Sequence, residues 1–119
     1  DSYEVLGGPS SPTVLYAIDK FRQDSPKTYR AFLAALNEAA QLVNKDPEAA
    51  ADIFLKANGG KGDRKLVLDV IKNPRVEFKT APQNTQPIAD FMHRVGAIKT
   101  RPASVKDYFF EEALLEAGS

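Results

Sequence analysis

The stretch "TVLYAI", residues 13–18, carries an apolar side chain at every position after Thr13. An apolar run without alternation is typical of a β-strand that is covered on both faces. The β-branched residues Val14 and Ile18 and the preceding Pro12 favour a strand at this place. The alternative is that the stretch forms the first turns of a long helix.

A covered strand needs neighbouring strands, because each of its backbone N–H and C=O groups requires a hydrogen-bond partner. Elsewhere only residues 3–6 ("YEVL") and 76–78 ("VEF") show a strand pattern, and both are short and contain a glutamate. Two such segments are too few and too polar to build a covered sheet. We therefore expect the partners of residues 13–18 to lie outside this sequence.

Composition indicates a globular chain without strongly charged partners. The 119 residues suffice for one ordinary domain, and 43% of them are hydrophobic and 27% charged. Basic and acidic residues both number 16, so a net charge of zero gives no long-range attraction to nucleic acid or anionic lipid. Cysteine is absent, which excludes disulfides and thiolate metal ligands. We expect no nucleic-acid partner and no cofactor.

Start and stop signals predict about five helices after residue 24. Ser25 is expected to cap the first helix, with Pro26 at its first position. Asp46-Pro47 repeats this signal, and Asn58-Gly59 ends the second helix. A third, short helix is expected before Asn73-Pro74. The apolar stripe of the first helix consists of Tyr29, Phe32, Leu33, Leu36, Ala40 and Val43.

The stretch "PIADFMHRVGAIKTRPASVKDYFF", residues 87–110, predicts a helix end, a linker and a new helix start. Asn84 is expected to cap the fourth helix, and Gly96 is expected to end it in a left-handed conformation. Ser104 and Asp107 have the spacing of a capping box that begins the last helix. The predicted buried face of the fourth helix consists of Ile88, Phe91, Met92 and Val95.

His93 is the chain's single histidine. A catalytic or metal-binding role would require a nucleophile or a second ligand at a suitable spacing. The sequence offers no cysteine, no second histidine, and no carboxylate or hydroxyl placed for this purpose. We interpret His93 as a residue at the margin of a helical apolar stripe, and we predict no catalytic residue, no metal site and no enzyme.

The segment "LGGPSSPTV", residues 6–14, is the candidate ligand loop. Glycines let a backbone approach a ligand closely, and the N–H and hydroxyl groups of this loop can donate hydrogen bonds. Such segments are more often plain loops, and the spacing fits neither the dinucleotide fingerprint nor the Walker A motif.

The whole chain resembles the C-terminal portion of periplasmic solute-binding proteins of ABC importers, in the nitrate/sulfonate/taurine class. The most specific pieces are Gly7-Gly8-Pro9, the helix entry between Phe21 and Pro26, Asp90-Phe91-Met92, and the linker from Gly96 to Asp107. Family members place backbone and hydroxyl groups of the Gly-Gly-Pro loop near the ligand. The resemblance therefore implies as ligand-binding residues the matching positions Gly7, Gly8, Pro9, Ser10 and Ser11. Where relatives often have threonine and then an aromatic residue, this chain has Ser11 and Pro12.

The resemblance implies an α/β, helix-rich fold: the C-terminal segment of a two-lobed, type II periplasmic-binding-protein fold with one or two short strands. Residues 1–12 would be the inter-lobe crossover and ligand-side loop, and residues 13–119 the strand and helical part of one incomplete lobe. The implied function is capture of a small anionic or heteroaromatic solute, such as a sulfonate, nitrate or taurine, for an ABC permease. The implied location is periplasmic, or extracellular with a lipid anchor.

Two other functions stay open at this point. A stand-alone helical module would use its amphipathic stripes to bind a partner protein. A pyrimidine-precursor synthase related to the same fold would need histidines that this segment does not show. If the chain occurs by itself, we expect its unmatched strand at residues 13–18 to drive self-association.

Overall fold

Helices form all the regular structure of residues 2–115, the part of the chain that the computed structural model describes. Side-chain surroundings are described for residues 3–114. The α-helices are α1 (Ser2–Leu6), α2 (Asp19–Asp24), α3 (Pro26–Lys45), α4 (Pro47–Ala57), α5 (Arg64–Ile71), α6 (Gln86–Arg94) and α7 (Glu111–Leu115). A 3₁₀ turn spans Val105–Asp107. The helix-rich character predicted from the sequence is confirmed.

The starts of α3 and α4 follow their proline signals. Pro26 and Pro47 each occupy the first turn, where a missing N–H costs nothing. The Asp46 side chain accepts a hydrogen bond of 3.0 Å from the Ala49 N–H and caps α4 as the sequence suggests. Ser25 precedes α3 but makes no side-chain cap bond, so the expected hydroxyl cap is wrong.

The segment around α6 contains the predicted helix, linker and capping box in the predicted order, but Asn84 has a different role. Thr85, not Asn84, is the residue before α6, while Asn84 has a left-handed φ of 47°. Gly96 has φ 78°, and the Ala97 N–H donates to the Met92 carbonyl at 2.8 Å, as expected for a glycine that ends a helix. Asp107 takes part in the predicted capping box, which begins the 3₁₀ turn rather than α7.

No β-strand occurs within residues 2–115, so the strand expected at residues 13–18 is corrected, and neither of the two short segments with a strand pattern is a strand. Residues 3–6 belong to α1, and residues 76–78 are irregular. Residues 13–18 are neither helix nor strand, and Ile18 has an extended backbone. The physical reason is the one that the sequence anticipated: within the described residues, no neighbouring strand supplies hydrogen-bond partners.

The stretch at residues 13–18 also exposes its apolar side chains. Tyr16 is 94% exposed and Leu15 64% exposed, and Val14 and Ile18 are exposed as well. The predicted two-sided burial is therefore wrong for the described residues. The sequence pattern predicts a strand that is covered on both faces. Residues 2–115 form no layers that cover it.

The chain divides into two units. The first comprises the residues up to Tyr16 together with those from Ala81 onward, and the second is Ala17–Thr80. In the first unit, the buried residues are Ala81 and Thr85, and the Thr85 hydroxyl shares a hydrogen bond of 2.9 Å with the Tyr108 hydroxyl.

The second unit places its buried residues on α3 and α4. Tyr29, Ala50 and Ala51 are buried, and the two alanines allow a neighbouring element to approach closely. Asn44, at the end of α3, donates to the Phe78 carbonyl at 2.7 Å and accepts from the Phe78 N–H at 3.4 Å. One amide side chain thus holds the irregular segment after α5 beside α3.

Burial is sparse in both units. Among the described residues, no large side chain is fully buried. On α6 the predicted buried face is wrong in part, because Phe91, Met92 and Val95 are exposed. Part of the apolar surface that the helical pattern predicts to be buried is therefore exposed to solvent.

An exposed ionic network joins α4 to α5. Arg64 donates through Nε to Asp52 Oδ1 at 2.7 Å, and its Nη1 lies 3.0 Å from Glu48 Oε2. Lys72 also binds Glu48. Hydrogen bonds from Lys72 and then Arg64 lower the pKa of Glu48, and the bond from Arg64 lowers the pKa of Asp52.

We predict that Arg64→Met lowers the urea midpoint at neutral pH but not in acid. A carboxyl group whose pKa is lowered by folding stabilises the fold above its ordinary pKa, and this contribution disappears as the pH falls through the folded pKa, below about pH 4. The effect is small, since these groups are exposed and screened by salt. Urea titrations monitored by circular dichroism at neutral and acid pH measure it.

The matched control is Lys56→Met, which removes a cation from α4 outside this network. Equal losses for both variants at neutral pH, or an undiminished Arg64→Met effect in acid, would contradict the ionic explanation.

Candidate functional site

The loop at residues 7–11 begins where α1 ends. Gly7 has φ 75° and Gly8 has φ 142°, conformations that L side chains rarely adopt. The Gly8 N–H donates to the Tyr3 carbonyl at 2.8 Å, which closes the end of α1. A Cβ built on either glycine would meet no atom within 4 Å. These glycines are therefore required by the backbone turn, and the space beside them is open to a ligand.

Three hydrogen bonds fix this loop to the segment that leads into α6. The Ser11 N–H donates to the Gln83 carbonyl at 2.9 Å, and the Gln83 N–H donates to Ser11 Oγ at 3.0 Å. The Asn84 side-chain amide donates to the Leu6 carbonyl at 2.8 Å. Both ends of the loop are thus held by residues more than seventy positions away in sequence, with separations of 72 and 78.

These bonds decide which predicted donors can reach a ligand. The N–H groups of Gly8 and Ser11 are used inside the protein, so they are not available to a solute. The Ser11 hydroxyl oxygen accepts a bond, which leaves its proton to donate outward. Ser10 is half-buried on the same loop, and Gly7 and Pro9 are exposed. The loop therefore keeps its two hydroxyl groups as donors, while two of its backbone N–H groups are engaged within the protein.

Nothing in the sequence around Gln83 predicts its place at this site, and Asn84 holds the Leu6 carbonyl instead of capping α6 as expected. Neither residue has a local signal that would connect it to the glycine loop. The one hint is the left-handed conformation that Asn tolerates better than other non-glycine residues, which Asn84 adopts with φ 47°. That hint marks a turn but does not identify the contact across the fold.

Polar contacts continue along α6 on the same unit. The Gln86 amide donates to Asp90 Oδ1 at 3.3 Å and to the Pro102 carbonyl at 3.1 Å. Arg101 Nε donates to Asp90 Oδ1 at 2.9 Å, and this bond is the main reason that the pKa of Asp90 is lowered. These contacts fix the linker after Gly96 against α6, so they support the loop region indirectly.

His93 is half-buried in the last turn of α6. Within residues 2–115, no group of three histidine, aspartate or glutamate side chains is arranged to hold a metal ion. In the same part of the chain, no helix combines the length and apolar character that crossing a membrane requires.

A separate groove lies on the second unit. Its volume is about 210 Å³, and Leu36, Ala39, Ala40 and Val43 of α3 line it together with Phe78. The Asn44 bonds to Phe78 position the second wall. Lys79 and Thr80 complete the lining, which is otherwise apolar. The groove is therefore more apolar than a site that fixes a small polar ligand through several converging polar groups.

Comparison with protein-family models, with curated proteins and with solved structures finds no match to this chain.

We predict that Ser11→Ala destabilises the first unit by about 1 kcal/mol or somewhat more, because the Gln83 N–H then loses its acceptor in a partly buried place. Amide hydrogen exchange at Gln83 should accelerate. Ser10→Ala is the control, since the structure gives Ser10 no side-chain hydrogen bond within residues 2–115. Equal exchange at Gln83 in both variants would mean that the Ser11 hydroxyl does not hold the loop.

Proposed function

We propose that this chain is the C-terminal portion of the solute-binding component of an ABC importer of the nitrate/sulfonate/taurine class. The complete protein would capture a small anionic or heteroaromatic solute between two α/β lobes of a type II fold. Closure of the lobes would present the loaded protein to a membrane permease. The periplasm, or the outer face of a membrane reached by a lipid anchor, is the corresponding location.

The observation that carries this proposal is the state of residues 13–18. The stretch is apolar, it is exposed, and it forms neither helix nor strand. A helix would have satisfied its own backbone, whereas a strand needs partners from elsewhere. We expect an apolar segment with strand composition to be exposed and irregular when the other strands of its sheet belong to another part of the protein. Strands of the N-terminal part of a lobe would supply those partners.

The glycine loop supports the same proposal. Gly7 and Gly8 leave open space beside the backbone, and the Ser10 and Ser11 hydroxyl groups are donors that the loop can offer to a ligand. Hydroxyl donors suit the oxygen acceptors of a sulfonate or a nitrate and the nitrogen acceptors of a heteroaromatic ring. Gln83, which lies 72 positions away in sequence, holds Ser11 in place.

A stand-alone helical interaction module is the second candidate, and a specific observation favours it. All regular structure in residues 2–115 is helical, and Phe91 and Met92 of α6 are exposed together with Val95, the residue that follows the helix. Such a stripe resembles the anchors of a helix that binds in a partner's groove. The first candidate requires residues 13–18 to pair as a strand, whereas the second does not. Measurements on that stretch therefore distinguish the two.

We expect calorimetry to detect no micromolar binding of sulfonate, nitrate or taurine by the 119-residue chain, because one side of a cleft buries too little of a small ligand. A longer product of the same reading frame that includes an N-terminal α/β lobe should bind one of these solutes. In that longer protein, Gly7→Ala should weaken binding at least about tenfold, since a misplaced donor loses roughly one hydrogen bond to a charged group.

The control is Gly60→Ala, which has the same φ of 75° and the same open surroundings in the second unit. It carries a similar backbone cost but lies away from the loop. Micromolar binding by the 119-residue chain, or equal weakening by both substitutions, would contradict the proposed site.

We predict that the 119-residue chain self-associates through residues 13–18, and that Leu15→Asp reduces this association. Light scattering over a range of concentrations measures it, and hydrogen exchange at residues 14–17 reports whether the stretch pairs as a strand. Val5→Asp is the control, because Val5 is also exposed, on α1. A clean monomer with unprotected amides at high concentration would favour the helical module instead.

A further inference from the structure

The turn between α4 and α5 contains Asn58-Gly59, the one asparagine–glycine pair in the sequence. Asn58 is the exposed residue that follows the last residue of α4. Gly59 and Gly60 have φ 67° and 75°, and a Cβ on either would meet nothing within 4 Å. Solvent therefore has free access to the peptide bond between residues 58 and 59.

We propose that Asn58 is a site of spontaneous deamidation and that its products loosen the turn joining α4 to α5. The proposal is independent of solute binding. It rests on the chemistry of this residue pair and on the contacts that Asn58 makes at the end of α4.

The reaction needs only water. The Gly59 backbone nitrogen, after losing its proton, attacks Cγ of Asn58 and forms a C–N bond that closes a five-membered imide. The Cγ–Nδ2 bond breaks, and the side-chain nitrogen takes up one proton from solvent, which replaces the proton that the backbone amide gave up, and leaves as ammonia. Water then opens the imide at one of its two carbonyls, giving aspartate or isoaspartate. No oxidant or reductant takes part.

Glycine after the asparagine favours this reaction for two reasons. It has no Cβ to obstruct the approach of the nitrogen to Cγ, and its backbone samples many conformations at low cost. Both reacting groups are in the same chain, so their effective concentration is high. The other asparagines in the sequence precede bulkier residues or proline.

The folded turn restrains the reaction. Asn58 Nδ2 donates to the Phe54 carbonyl at 2.8 Å, which directs the side chain back along α4. The Gly59 N–H donates to the Lys56 carbonyl at 3.1 Å, so the attacking nitrogen is engaged. Both bonds must open first. The rate of deamidation therefore reports how often the last turn of α4 opens.

The products cannot restore these contacts. An aspartate at position 58 has acceptors only, so it repels the Phe54 carbonyl at the negative end of the helix. An isoaspartate lengthens the main chain by one carbon and displaces the following glycines. Gly62 packs close to Leu55, and Asp63 caps α5 by accepting from the Lys65 N–H at 2.8 Å. A displaced turn disturbs both contacts.

The experiment incubates the 119-residue chain at neutral and at mildly alkaline pH and follows it by mass spectrometry. The peptide of residues 57–61, released by cleavage after Lys56 and Lys61, should gain the mass of the amide-to-acid change, and part of the product should be isoaspartate. The rate should rise in proportion to hydroxide concentration and should be faster in urea than in the native chain. Asn44, which lies in α3 before Lys45, is the internal control.

Two variants separate the chemistry from its structural effect. Asn58→Gln retains an amide donor but forms a six-membered imide slowly, so its peptide should stay unmodified. Asn58→Asp mimics one product and should accelerate amide exchange at Gly59 and Gly60 without any incubation. The proposal is overturned if Asn58 reacts no faster than Asn44, if urea does not accelerate the reaction, or if Asn58→Asp leaves that exchange unchanged.

Discussion

Backbone groups that leave water must find hydrogen-bond partners, and this requirement governs the described structure. A helix meets it within one segment, whereas a strand meets it only when another strand lies beside it. Each regular element of residues 2–115 is helical. Residues 13–18, whose composition suits a strand, remain irregular and exposed. The contrast follows from the absence of a partner strand among these residues rather than from weak strand propensity.

Contacts distant in sequence then organise each unit. In the first, Ser11 and Gln83 exchange two hydrogen bonds, and Asn84 binds the carbonyl that ends α1. In the second, Asn44 holds Phe78 with both of its amide atoms, and Arg64 links α5 to α4. Few apolar side chains are buried among the described residues, so these hydrogen bonds and ion pairs help to determine how the segments of each unit pack together.

The glycine loop and the exposed strand-former bear on function together. The loop presents hydroxyl donors beside open space, and the stretch that follows it exposes apolar side chains. A lobe of a solute-binding protein would require both features next to each other, with the loop at the cleft and the strand in the core. A helical interaction module would require neither, although the exposed face of α6 suits it.

Sequence by itself determined the helix boundaries marked by Pro26, Pro47 and Gly96, because capping and proline geometry act within a few residues. It also placed the capping box at Ser104, though not the 3₁₀ turn that follows. Local sequence patterns did not determine whether residues 13–18 form a strand, which residues of α6 are buried, or what Asn84 binds. Each of these depends on residues that lie elsewhere in the chain or outside it. Only the tertiary structure showed that Gln83 and Asn84 hold the candidate loop, because a hydrogen bond across more than seventy residues leaves no local trace in the sequence.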